Sequence, residues 1–183
     1  MLKILFSIIV GVLGAAFLHL IIILSLPGFS NSDAFQRVEA IGEEDSFHVL
    51  DAGEDGGRLL NGDPYLRTAV CAFDLSDMPV HLMAKGQVPF WSLAIYDSAS
   101  NEVFSMSDRT SVGGTLDVLV AAPVQLAAIR KALPAELAQS ILVEMAEDQG
   151  YAVLRTMVPQ PSFGDGARDF LSKAQCDAFD VGG

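Results

Sequence analysis

Several side chains in this sequence could take part in acid–base or nucleophilic chemistry, but their spacing forms no catalytic motif. The 183 residues contain no GxSxG elbow, no HExxH sequence, no CxxC pair and no paired-histidine metal spacing. Acids at predicted strand ends are typical of turn capping, and His48 and His81 are expected to be ordinary surface residues of strands. The candidates considered for catalysis are His48, His81, Asp63, Asp74, Asp77, Asp97, Asp108 and Ser92.

A ligand-binding site is the second possibility, and it centres on the single tryptophan. An arginine beside a carboxylate, as in Asp108-Arg109, can position a planar acid or amide, and Trp91 offers a ring face to sugars or cations. The competing interpretation is a strand-end ion pair and a core aromatic. The predicted ligand site comprises Trp91, Tyr96, Asp108 and Arg109, and we expect no catalytic residue, metal or cofactor.

The stretch that carries this site has the pattern of a β-hairpin. Large apolar side chains alternate along residues 90–97, and residues 103–109 form a second apolar run. The Ser- and Asn-containing segment 98–101 between them favours a turn. Because both faces carry large apolar groups, we expect this pair of strands to lie centrally in a sheet.

Further short strands with few helices predict a mainly β fold. After residues 63 and 64, one strand places Ala69, Cys71 and Phe73 on one face and Val70 and Ala72 on the other. Pro123 opens a helix that Pro134 stops. The other predicted elements are strands at 80–83 and 116–122, a second hairpin of 141–145 with 151–158, and a closing helix within 163–174. We therefore expect an antiparallel β-sandwich spanning residues 63–183.

The N-terminal segment predicts a membrane anchor. Residues 4–26 carry no formal charge except a possible one on His19, and a helix of this length spans about 30 Å of hydrocarbon. The alternative is a cleaved secretory signal, although the apolar run exceeds the usual core of one. Residues 1–27 are assigned to the anchor and 28–62 to a juxtamembrane linker, with a short separate helix at 33–41. Lys3 before the run and acids after it place the N-terminus in the cytoplasm.

The charge balance excludes some partners. Lys and Arg number 11 against 23 Asp and Glu, so the formal net charge is −12. Nucleic acid is not expected as a partner, because binding to its phosphates requires a positive patch. An anionic lipid surface is disfavoured for the same reason.

Two cysteines permit one disulfide bond. Cys71 and Cys176 are the only cysteines in the chain, and a domain outside the cytoplasm would meet oxidising conditions. We expect them to be bonded to each other. The alternative is that both are buried small apolar residues.

Several stretches resemble a known bacterial family. Residues 63–76, 88–97 and 101–109, followed by 141–145, 151–155 and 159–162, are similar to the family called domain of unknown function 1254, in its short, membrane-anchored alphaproteobacterial branch. The resemblance implies a β-sandwich. In longer relatives a second domain follows, called domain of unknown function 1214, and in the short branch that domain is typically a separate protein. The family has no established catalytic residues.

Taken together, these observations predict a non-enzymatic binding module of the bacterial cell envelope. We expect a single-pass inner-membrane protein with a periplasmic C-terminal domain that pairs with a membrane-anchored companion of the second family. The alternative is a small-molecule-binding domain or hydrolase-like enzyme with a pocket near Trp91 and Arg109.

Overall fold

The computed structural model describes residues 2–50 and 63–180, with side chains described for residues 3–25, 34–50 and 63–180. Part of the predicted linker, residues 51–62, lies outside the described residues. The helices and strands are α1 (Leu2–Glu39), β1 (His48–Val49), β2 (Leu66–Asp74), β3 (Val80–Ala84), β4 (Trp91–Asp97), β5 (Glu102–Ser107), β6 (Leu116–Ala121), α2 (Pro123–Lys131), β7 (Ile141–Glu144), β8 (Gln149–Met157), α3 (Gly164–Ser172) and β9 (Gln175–Ala178).

The described strands form two sheets, which confirms the predicted mainly β class. One sheet has five strands in the order β1-β2-β8-β4-β5, and the other has four in the order β7-β6-β3-β9. Neighbouring strands are antiparallel throughout, except that β6 and β7 are parallel.

One hydrophobic core contains residues from both sheets. Leu93 of β4 and Leu154 of β8 belong to it, together with Leu82 of β3 and Val118 of β6. Cys71 of β2 and Cys176 of β9 are joined by a disulfide, with their Cα atoms 6.6 Å apart. The two sheets are therefore linked by shared apolar contacts and by one covalent bond.

The alternation predicted for β2 is confirmed. Ala69, Cys71 and Phe73 lie in the shared core, whereas Val70 and Ala72 lie in a second cluster on the other face. Successive side chains of a strand point to opposite faces, so β2 has apolar contacts on both.

The N-terminal helix is longer than the sequence predicts. α1 is one helix of 38 residues that runs through positions 27 and 28 and includes the segment predicted as a separate helix. Pro27 lacks an N–H group and removes one helical hydrogen bond. The helix nevertheless continues to residues that pack well, because Phe35 and Val38 are buried in the second cluster with Val70. Tertiary packing thus outweighs the local signal to stop.

The first part of α1 is long and apolar enough to cross a membrane. The segment Lys3–Ser25 has a mean hydropathy of 2.7, and none of it is buried against the rest of the chain. A signal sequence near an N-terminus would have the same properties.

The predicted second hairpin is wrong. β7 pairs in parallel with β6 in the four-stranded sheet, whereas β8 lies between β2 and β4 in the other sheet. α2 provides the crossover that a parallel pair requires, and it buries Leu126 and Ile129 against the sheet that contains β6.

The predicted first hairpin is confirmed, with one correction. β4 and β5 pair in antiparallel register, but only β4 lies inside the sheet, because β5 is an edge strand. The residues after α3 add a strand, β9, that the sequence did not indicate. Cys176 lies in this strand.

Candidate functional site

Trp91 lies in the shared core. Its side chain is 1% exposed, and its Nε1 donates a hydrogen bond to the carbonyl of Gly114 at 3.0 Å. Gly113 and Gly114 both have positive φ, of 64° and 74°, which a glycine adopts without strain. Trp91 therefore fills the interior and is not available to a ligand at the surface.

Asp108 and Arg109 form no ion pair with each other. The backbone N–H of Asp108 donates to the carbonyl of Trp91 at 3.2 Å, and Ser111 Oγ donates to the carbonyl of Asp108 at 2.9 Å. Asp108 Oδ1 is buried and has no hydrogen-bond partner within the part of the chain that the structure describes. Arg109 is exposed. The predicted strand-end pair is wrong, since the two side chains do not meet.

Tyr96 lies on the face of β4 opposite to Trp91. Its ring stacks on that of Tyr151 in β8, with centroids 5.0 Å apart and planes at 17°. The hydroxyls of Tyr151 and Ser100 lie within hydrogen-bond distance at 3.1 Å. Burial is the main cause that raises the pKa of Tyr151. The structure therefore separates Tyr96 from Trp91 and does not bring the four predicted ligand residues together.

A polar depression lies on the face of the five-stranded sheet that carries Tyr96. We call it the outer groove. Its volume is about 390 Å³, and it is open to solvent. The residues that line it are Ser92, Leu93, Ala94, Tyr96, Glu102, Ser105, Met106, Ser107, Thr110 and Arg155.

The outer groove adjoins the surface that α1 covers. Tyr96 packs against the cluster of Phe35, Val38 and Tyr151, so one end of the groove borders the end of α1.

Arg155 is the residue of the groove that the sequence analysis did not identify. The alternation of the strand around it places Tyr151, Val153 and Arg155 on one face, and that pattern could have identified it.

His81 is not the surface histidine that the sequence suggested. It is 8% exposed on β3, and its Nε2 lies 2.8 Å from Asp117 Oδ1 on the neighbouring strand β6. Phe179 packs edge-on against the imidazole with centroids 5.6 Å apart. An imidazole held by a carboxylate resembles part of a hydrolase triad, but no hydroxyl or thiol is bonded to this imidazole in the described structure.

Most of the acids considered for catalysis cap turns, as expected. Asp63 accepts a hydrogen bond from the N–H of Tyr65 at 2.8 Å. Asp97 accepts two from Asn101, both at 2.8 Å. These carboxylates satisfy backbone and amide donors in the loops, which is a structural role.

Asp74 also caps a turn, and its pKa is lowered. It accepts the backbone N–H of Ser76 at 2.8 Å and a bond from Gln149 Nε2 at 3.1 Å. Its hydrogen bonds with Ser76 are the main cause that lowers its pKa.

The remaining candidates are dispersed. His48 Nε2 lies 2.9 Å from the carbonyl of Glu43, Asp77 is exposed in a turn, and Ser92 lies in the outer groove. The side chains described for residues 3–25, 34–50 and 63–180 include no group of three or more His, Cys, Asp or Glu that could hold a metal ion. Among the described side chains, no histidine is hydrogen-bonded to a serine, threonine or cysteine.

Comparison with known proteins places the fold but not the activity. No family model matches the chain, and no curated protein matches it. The VPA0106 protein from Vibrio parahaemolyticus has a similar structure, with a TM-score of 0.61 and 14% identity over 83% of this chain. An uncharacterised protein from Burkholderia cenocepacia aligns over 84% of this chain with a TM-score of 0.51 and 10% identity. The chain spans 36% and 42% of the lengths of these two proteins.

Proposed function

We propose that this chain is a membrane-anchored, non-enzymatic binding module of the bacterial envelope that pairs with a separately encoded companion protein. The observation that carries the proposal is the exposed apolar segment Lys3–Ser25, joined by one helix to a mainly β unit. In this proposal the two sheets pack as a β-sandwich and residues 3–25 span the inner membrane. The sandwich then faces the periplasm.

The existence of a companion is supported by the lengths of the structural neighbours. More than half of each neighbour's chain lies outside the part that aligns with this one. The family that the sequence resembles implies a second domain in longer relatives, and a separate protein in short ones. Two membrane anchors would raise the effective concentration of the two partners, so even a weak contact would hold them together.

An exposed apolar surface is a candidate for the contact. Tyr65 and Met157 are 59% and 38% exposed. They lie side by side, because Leu66 pairs with Met157 and the N–H of Val158 donates to the carbonyl of Tyr65 at 2.7 Å. These two adjacent residues are a small exposed apolar surface, and we propose that it forms part of the contact.

Co-purification from gently solubilised membranes tests the proposal. We expect the companion to be enriched with the wild-type chain, and to be lost when Tyr65 and Met157 are both changed to Asp. The matched control is Val124→Asp, since Val124 is 83% exposed on α2 and lies in another part of the molecule. Failure to enrich an expressed companion, even after crosslinking, would contradict the proposal.

A further inference from the structure

The outer groove contains an arginine whose charge no described residue neutralises. Arg155 is half-buried and lines the groove, and it forms no hydrogen bond or ion pair with the side chains described for residues 3–25, 34–50 and 63–180 or with their backbone. Partial burial removes water from a guanidinium, and the cost is recovered when an anion takes the place of that water.

The register of the sheet places hydroxyl groups next to this arginine. Arg155 pairs with Thr68 on one side and with Ser92 on the other, and Ser92 pairs with Ser107. These four residues form a polar row across β2, β8, β4 and β5. The hydroxyls of Ser92 and Ser107 make no hydrogen bond to any described residue, so they are free to bind oxygen atoms of a ligand.

The opposite end of the groove carries the opposite charge. Glu102 of β5 pairs with Tyr96, which comes two residues after Ala94 in β4. The Oε1 of Glu102 accepts a hydrogen bond from Ser105 Oγ at 2.8 Å. A carboxylate here repels a second anionic group. The groove is thus suited to a ligand with an anion at one end only.

From this arrangement we propose that the outer groove binds a small hydroxylated molecule with a single oxyanion, either carboxylate or phosphate, anchored by Arg155. The planar guanidinium donates two parallel N–H bonds to two oxygens of the anion, a geometry that lysine cannot reproduce. Ser92 and Ser107 hydrogen-bond the neighbouring oxygens. The remaining hydroxyls of the ligand extend past Ala94 toward Tyr96 and Glu102.

The test measures binding to the full chain in nonionic detergent at constant ionic strength. The probes are glycerol 3-phosphate, lactate and, as the neutral control, glycerol, and the readout is the shift of the thermal unfolding midpoint with concentration. We expect one or both anions to raise the midpoint and glycerol to have no effect. The phosphate and carboxylate arms then identify which oxyanion is preferred.

Variants show whether the anion binds at the groove. Arg155→Gln should weaken binding at least tenfold, and Arg155→Lys should weaken it because the two-pronged contact is lost. Ser92→Ala should weaken it several-fold and serves if the arginine variants fail to fold. The matched control is Arg130→Gln, an exposed arginine of α2, which should bind as the wild type does. Absence of binding, or equal binding by all variants, would overturn the proposal.

The groove and the proposed contact for the companion are tested independently. The variants at Tyr65 and Met157 leave the residues that line the groove unchanged. Companion co-purification and anion binding can therefore fail separately, and the one that is absent identifies which of the two proposals is wrong.

Discussion

Asp45 is held in a conformation and an environment that suit asparagine better than a carboxylate. Its φ is 54°, in the left-handed region where asparagine and aspartate are tolerated, and its N–H donates to the carbonyl of Ala72 at 3.0 Å. Burial is the main cause that raises its pKa, followed by the charges of Glu44, Asp74 and Asp177. The folded state therefore disfavours the ionised form.

The change Asp45→Asn should stabilise the protein at neutral pH. Because the pKa of Asp45 is raised in the folded state, this group favours folding at a pH below its ordinary pKa of 3.8. That contribution is lost as the pH rises through the pKa of the folded state. The gain should be below about 1 kcal/mol, because solvent screens a partly exposed group. Thermal unfolding at pH 7 and pH 3 measures the effect. If the midpoint of Asp45→Asn exceeds that of the wild type by as much at pH 3 as at pH 7, the titration of Asp45 is not the cause. The control is Asp77→Asn, which lies in an exposed turn.

Side chains whose role depends on near neighbours were predictable from the sequence. Asp63 and Asp97 cap turns within four residues of themselves, as their positions suggested. His81 was not predictable, because its partner Asp117 is 36 positions away and comes close only through the pairing of β3 with β6. Trp91 was correctly considered as a core aromatic, but its bond to Gly114 depends equally on the folded chain.

At the scale of elements, the disulfide joins two strands that belong to different sheets. Cys71 and Cys176 are 105 positions apart, and both are buried. In the chain-entropy model, closing a loop of this length stabilises the folded state by about 4 to 5 kcal/mol, an upper value because strain and residual structure reduce it.

Reduction should therefore lower the thermal midpoint of the wild-type protein. The double variant Cys71→Ala, Cys176→Ala should begin at the lower midpoint and should not respond to reductant. Unfolding scans with and without dithiothreitol measure both effects, and thiol titration of the denatured, unreduced protein should detect no free thiol. A midpoint unchanged by complete reduction would contradict a stabilising role.

The elements themselves were more predictable than their partners. Alternation and turn residues correctly indicated β2 and β4, and Pro123 correctly indicated the start of α2. The pairing of β7 and β8 was wrong, because a short apolar strand fits several neighbours and only the packed sheet selects one. The edge position of β5 and the existence of β9 likewise depend on contacts remote in sequence. The groove around Arg155 follows from the same pairing and could not be assembled from sequence alone.

At the scale of the whole molecule, the charge distribution around α1 sets the expected topology. Lys3 precedes the apolar segment, and Glu39, Glu43 and Glu44 follow it. Positive residues are retained on the cytoplasmic side of a membrane, so the β unit should be on the outside.

A fusion of alkaline phosphatase after the C-terminus should therefore be active in bacteria, and a fusion of a cytoplasm-dependent reporter should be inactive. The protein should remain in the membrane fraction after alkaline carbonate extraction with its N-terminal segment intact. A variant with exchanged flanking charges should reduce the phosphatase signal. Its substitutions are Lys3→Glu, Glu39→Lys, Glu43→Lys and Glu44→Lys. An intact but soluble product would contradict the anchor, and an inactive phosphatase fusion would contradict the orientation.

The lengths of the strands also affect how the protein behaves at high concentration. β2 and β8, in the interior of their sheet, have nine residues each, whereas the edge strands β1, β7 and β9 have two to four. Short edges offer few unpaired backbone groups to another copy of the chain, which limits aggregation. β5 is the longest edge strand, with six residues, and a register shift beside Tyr96 interrupts its pairing with β4. If overexpressed protein self-associates through a sheet edge, β5 is where strand addition begins.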